Sequence, residues 1–255
     1  MTTHDKQSTK VAVIGGTGMN NWPGLEITSS SIINTPYGAP SAPLVRGRVA
    51  GVEAIFLARH GEGHKLPPHA INYRANLWAL KNAGVESVIA IGAVGAIAGW
   101  FAPGSLAIPN DLIDYSWGRE HTYFDGKPGS SLKHIEFNLP YAPAVRRALI
   151  EAARAASVEA RDGGVMAVTQ GPRLESPAEI RRLKQDGCDM VGMTSMPEAG
   201  LAAELDLPYA CLAVSVNWAP GIGSGDIHGE IERWLNESMA KVRAILEKAL
   251  PVLAG

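Results

Sequence analysis

The sequence predicts an α/β protein built on one core. Short Val- and Ile-rich runs of strand length recur along the chain, helical patterns lie between them, and 255 residues fit one large α/β domain better than two small ones. The first run, VAVIG at 11–15, is apolar throughout, as a strand covered on both faces requires. Similar runs follow at 54–58 and 87–91. Between the last two, the pattern over 70–83 predicts a helix stopped by Gly84. Further strands are expected at 106–109, 165–169, 190–193 and 209–216, with an amphipathic helix at 142–156. The helix expected at 177–185 has the best-marked start: Ser176 precedes it, Pro177 takes its first position and Glu179 completes a capping box. A short helix is expected to open at Pro197, and a last one to run over 230–250.

Composition narrows the function. A hydrophobic fraction of 46% with 19% charged residues describes a folded globular domain. A net charge of −2 and the lack of a basic, aromatic-rich cluster argue against nucleic acid as a partner. Residues 1–10 are polar, read as a disordered tail ahead of a domain over 11–255, and lack the apolar core of a secretory signal. With no run of 18 apolar residues later on, no membrane association and a cytoplasmic location are expected. Cys188 and Cys211 form no CxxC pair, so they read as reduced core residues. There is no internal repeat or linker; the glycine-rich segment 221–229 fits either a gating loop or a plain connector.

Several strand ends carry chemistry. Gly15-Gly16-Thr17-Gly18 follows the first strand and fits either a phosphate-binding loop or a tight turn. Trp22-Pro23 interrupts the helix that a dinucleotide fingerprint needs there, which disfavours a nucleotide-dependent oxidoreductase. Arg59-His60-Gly61 ends another strand and suits a dianion. His60, His64 and His69 lack an accompanying carboxylate motif, so no metal is expected, and the last two also fit a solvated loop. Gly92-Ala93-Val94-Gly95 suits close approach of a ligand or simple sheet packing. Glu175, in GPRLES, either accepts a ligand's proton donor or complements the following helix dipole. Asn217, at the end of an apolar strand, is a ligand contact or a loop brace, because a buried amide must be hydrogen-bonded.

Taken in order, PPHAINYRANLWALKNAG, GPRLES and DMVGMTSMPEAGLAAELDLPYACLAV resemble the trimeric purine nucleoside phosphorylase and methylthioadenosine phosphorylase family, across nearly the whole chain after residue 10. The resemblance is nearest to the bacterial branch acting on methylthioinosine or other 6-oxopurine nucleosides. It implies a single-domain fold with a twisted mixed sheet flanked by helices, and phosphorolysis of a nucleoside to a free base and a sugar 1-phosphate. Inorganic phosphate is then the co-substrate and no cofactor is required. Carried over by position, Thr17, Arg59, His60, Gly92, Ala93 and Thr194 hold phosphate. Met193 and Leu174 lie against the nucleoside, while Glu175 and Asn217 hold the base. Adenosine-type relatives place Asp at the second base position and commonly Ser at the first. Glu175 and Asn217 suit the N1–H donor and O6 acceptor of a 6-oxopurine instead.

The resemblance also implies a homotrimer whose sites are shared, with His134 reaching a neighbour's sugar pocket. His228 stands where inosine-cleaving relatives bind the 5′-hydroxyl, whereas overall similarity favours a 5′-methylthio group; both remain open here, as does methylthioadenosine. A non-catalytic nucleoside-binding module and hydrolysis by water are the further alternatives.

Overall fold

The computed structural model describes residues 10–15, 22–124, 126, 132–223 and 225–255. The expected tail, apart from Lys10, and Thr17 with its neighbouring glycines lie outside these residues. In chain order the elements are β1 (Val11–Gly15), β2 (Glu26–Ser31), β3 (Leu44–Val49), β4 (Val52–Ala58), α1 (Tyr73–Asn82), β5 (Ser87–Ala96), β6 (Leu106–Ile108) and β7 (Asp111–Asp114). Then come α2 (Pro143–Ala155), β8 (Arg161–Asp162), β9 (Val165–Val168), α3 (Pro177–Gln185), β10 (Met190–Gly192), α4 (Ser195–Glu204), β11 (Tyr209–Trp218) and α5 (Ile227–Ala254).

All the described strands join one mixed sheet, and the sheet forks at β5. Parallel β1 pairs with residues 87–90 of β5, and antiparallel β10 pairs with Gly95 and Ala96. Parallel β11 runs along β5 from Val88 to Ala96. A strand has two hydrogen-bonding edges. Because β11 fills one, β1 and β10 share the other, and they leave 91–94 uncovered between them.

Burial follows the residue pattern. Every residue of β1 is buried, as its unbroken apolar run demands, while polar β2 (EITSSS) is exposed along its length at the sheet's end. α2 and α5 pack on one another and on β11, and α1 packs on α4. A smaller apolar cluster beneath α3, including Ile180, Leu183 and Val191, is distinct from the main core. Both cysteines are buried and unpaired. No helix among the described residues is long and apolar enough to cross a membrane.

Several expected boundaries shift. α1 starts three residues later than the pattern suggested, because a separate 3-10 turn occupies Pro68–Ala70 and Asn72 caps the helix through Ala75 N at 3.0 Å. Helix α5 begins at Ile227, capped by Asp226, so 227–229 of the glycine-rich segment are helical rather than loop. The helix expected at Pro197 is present, its regular part starting after non-helical Met196.

Candidate active site

The fork in the sheet makes the site. At 91–94 a central strand loses its neighbour on one edge, and the small residues there open onto a cavity of about 690 Å³. That volume suits a small-molecule ligand. Ala93 is exposed although it lies in the middle of a central strand. Arg59, His60, Gly92, Ala93, Leu174, Glu175, Met193, Thr194 and Asn217 all line this one cavity, although they come from five separate stretches of chain.

At one end stands Arg59, just past β4, its N–H donating to Gly15 O at 3.0 Å. Its side chain is 2% exposed. Nε and Nη2 donate to the two carboxylate oxygens of Glu198 at 2.7 Å each, and Nη1 donates to Ile91 O at 3.0 Å. Glu198 is fully buried in the first turn of α4, where its charge also favours the helix N-terminus, and Tyr209 Oη donates to it at 2.8 Å. Burial works to lower the Arg59 pKa, and the charge and hydrogen bonds of Glu198 more than offset it, so the net shift is upward. A guanidinium has five N–H donors. Three are engaged in the wall, leaving two to offer the cavity in a fixed plane.

His60 enters the site as a neutral acceptor. Its Nδ1 is 2.9 Å from Leu66 O. A carbonyl only accepts, so Nδ1 carries the hydrogen and Nε2 keeps a lone pair. Burial, aided by the positive charge of Arg59 and by His64, lowers its pKa to about 4 against the opposing bond to Leu66. His64 also lines the cavity and stacks on His60 with centroids 4.2 Å apart, while His69 is exposed. Among the described residues no group of three or more His, Cys, Asp or Glu side chains is placed to hold a metal ion.

Thr194 precedes α4 as its N-cap, yet its side chain makes no capping bond, which leaves the hydroxyl to the cavity it lines. At the opposite end, a β-bulge between Ser215 and Asn217 inserts Val216 and re-aims the strand end. Asn217, 4% exposed, gives one amide hydrogen to Trp218 O at 2.7 Å, leaving its oxygen and second hydrogen for a ligand. Gly95 makes room for it: a Cβ there would sit 3.4 Å from Asn217 Nδ2 and 3.2 Å from Val191 Cγ1. Glu175 is 8% exposed and accepts from Thr169 Oγ1 at 2.6 Å. The helix-end role is taken by Ser176 and Glu179, whose reciprocal bonds complete the capping box, so Glu175 is free to face the cavity.

The third side is apolar. Ile231, Leu235 and Met239 form one stripe of α5 along the wall. His228 lies a turn nearer the helix start, is exposed, and is not among the residues lining the cavity. His134 is also exposed and away from it. Sequence reasoning missed Glu198 and Tyr209. A lone carboxylate inside the apolar run SMPEAGLAA was the available signal, since a buried charge needs a partner.

The sequence matches the phosphorylase superfamily over residues 10–251. A probable S-methyl-5′-thioinosine phosphorylase of Pseudomonas syringae pv. tomato is 51% identical over 243 residues, 95% of this chain and 98% of that protein. The 6-oxopurine nucleoside phosphorylase of Pyrococcus furiosus is 38% identical over 249 residues, 96% of this chain and 93% of that one. Among solved structures, methylthioadenosine phosphorylase from Schistosoma mansoni in complex with tubercidin superposes with a TM-score of 0.88 at 33% identity, covering 96% of this chain and 91% of that one.

Proposed function

This chain belongs to the phosphorylase superfamily, and we propose that it uses inorganic phosphate to split the glycosidic bond of a 6-oxopurine nucleoside, with S-methyl-5′-thioinosine as its preferred substrate. The observation that carries this reading is the single cavity that joins Arg59 and Thr194 at one end to Glu175 and Asn217 at the other, with the apolar stripe of α5 beside them.

Phosphate binds against the two remaining Arg59 donors and the Thr194 hydroxyl, with the Gly92-Ala93 backbone close by. Neutral His60 accepts a hydrogen bond from the protonated oxygen of monohydrogen phosphate. A phosphate oxygen attacks C1′ as the bond to purine N9 breaks, and the bonding pair leaves with the base. Positive charge gathers on the sugar between phosphate and purine. The adjacent dianion stabilises it, and the protein supplies positioning and fixed dipoles. Asn217 donates to the purine at N7 or O6 as electron density enters the ring. No cofactor takes part.

Base choice follows from donor matching. The Glu175 carboxylate, held by Thr169, accepts the N1–H of a 6-oxopurine. A 6-aminopurine has no hydrogen at N1 and would set two acceptors against each other in a closed site, a mismatch that discriminates strongly. At the 5′ position, Ile231, Leu235 and Met239 favour a methylthio group over a hydroxyl. The preferred assembly in this reading is a homotrimer in which His134 completes a neighbour's sugar pocket. His134 is exposed and lies outside the chain's own cavity lining, as a residue lent to a neighbour would.

The test is phosphate-dependent base release from methylthioinosine, inosine, guanosine and methylthioadenosine, compared by kcat/KM in one buffer. Methylthioinosine is expected to lead. Preference for methylthioadenosine would overturn the Glu175–Asn217 reading, and turnover without phosphate would make the protein a hydrolase.

A further inference from the structure

Arg119 lies outside the cavity, 7% exposed, in the segment that follows β7. Its guanidinium is spread over two loops. Nη2 donates to Thr169 O at 3.1 Å and Gln170 O at 2.8 Å, and Nε to Gln170 Oε1 at 3.2 Å. Nη1 donates to Met193 O at 2.8 Å and Met196 O at 2.5 Å, with Tyr73 Oη at 3.3 Å. These partners are neutral oxygens, four of them backbone carbonyls. The guanidinium also lies 5.7 Å from the Tyr73 ring centroid, and Tyr73 Oη donates to Pro68 O at 2.9 Å, a residue of the cavity wall.

The topology gives this contact set its meaning. Strands β9 and β10 are parallel neighbours, and their chains leave the sheet at the same end. Thr169 and Gln170 begin the loop that leads to Glu175. Met193 and Thr194 begin the loop that turns into α4. One planar fork therefore fastens both loops at their exits, the first ending on the base-facing carboxylate and the second carrying the residues assigned to sugar and phosphate. A second clip shares the same partner, because Trp117 N donates to Gln170 Oε1 at 3.1 Å.

We infer that Arg119 is a positioning residue that sets the spacing between the base-recognising loop and the phosphate- and sugar-recognising loop. The inference rests on the phosphorolysis reading above. Reaction requires the purine and the phosphate to hold opposite sides of C1′ in register, so a small shift of one loop against the other misaligns attack. A lysine cannot replace the fork, since a point ammonium with three donors does not span carbonyls on two loops.

The test compares Arg119→Ala and Arg119→Lys with wild type in three readouts: KM for phosphate, the ratio of kcat/KM for methylthioinosine over methylthioadenosine, and rescue by added guanidinium. In both variants kcat/KM is expected to fall about 100-fold, the size of effect that loop misplacement produces. Base preference is expected to narrow roughly tenfold as Glu175 loses its register, with phosphate KM rising alongside. Millimolar guanidinium chloride, but not equal sodium chloride, is expected to restore part of the Arg119→Ala activity. The inference is overturned if phosphate KM and base preference both stay at wild-type values, whether kcat holds or falls with thermal stability. Should Arg119→Ala fail to fold, Arg119→Lys decides by the first two readouts. A wild-type protein inactive on every nucleoside overturns the functional reading and this inference with it; an active wild type with undisturbed variants overturns this inference alone.

Discussion

At the scale of single residues, the site works by settling each polar group's role before a ligand arrives. His60 has its Nδ1 hydrogen committed to Leu66 O and its pKa lowered to about 4, so at neutral pH it offers an acceptor. The same shift couples folding to pH. Between the ordinary value of 6.5 and about 4 the unfolded chain takes up a proton on this ring that the folded chain refuses. The stabilisation from His60 is therefore complete above pH 6.5 and is lost as pH falls towards 4. Allowing for solvent screening at the partly exposed ring, the loss is about 2 kcal/mol, or roughly 4–8 °C in a domain of this size. Calorimetry of His60→Asn from pH 7 down to about 4.5 is expected to show a shallower fall in Tm than wild type, by that amount; parallel curves would remove His60 as the group responsible. Arg59 and Asn217 were legible in the sequence because polar residues stood at the ends of apolar strands, whereas Glu175 read equally as a helix-end charge and gained a base role only through the family resemblance. Arg119 was not, since it sits in a polar run, SWGREH, and its partners are carbonyls that no residue type announces. Glu198 was hidden for another reason: the guanidinium it holds is 139 positions away.

At the scale of elements, the strands that could be read were the ones buried on both faces, such as β1 and β11. Polar β2 and short β7 carry almost no apolar signal, and both end the sheet's path, where half of the backbone hydrogen bonding is enough. Strands β5 and β11 run past their expected ends at 91 and 216 because each continues the other's ladder, with the Val216 bulge absorbing the mismatch. That extension delivers Asn217 to the site. Helix α5 contributes differently, through the spacing of Ile231, Leu235 and Met239, which puts three apolar side chains on one stripe of the wall. Replacing Leu235 with Asn is expected to lower the ratio of kcat/KM for methylthioinosine over inosine by about tenfold, the worth of burying a methylthio group. An unchanged ratio would separate this stripe from the 5′ substituent and return the question to His228.

At the scale of the whole molecule, alternating strands and helices in one sequence foretold a covered sheet, but not the fork that creates the cavity. The fork depends on which edge of β5 receives β10, and that was decided by β11, more than a hundred residues later in the chain than β5, filling the other edge. A sheet that opens in this way forms a cavity within one chain, and in the homotrimer proposed above a neighbour completes its sugar end. His134, between two exposed leucines, is the residue assigned to close it. The arrangement predicts complementation between two defective proteins. An Asn217→Ala chain has a broken base site but an intact His134 to lend, whereas a His134→Ala chain keeps its own base site and lacks only the borrowed group. Refolding the two together is expected to give trimers by sedimentation, and mixing within them is read from the His134→Ala chains' recovery of a wild-type KM for nucleoside. If His134 acted within its own chain, or the protein were active as a monomer, mixing would give only the average of the two defective preparations.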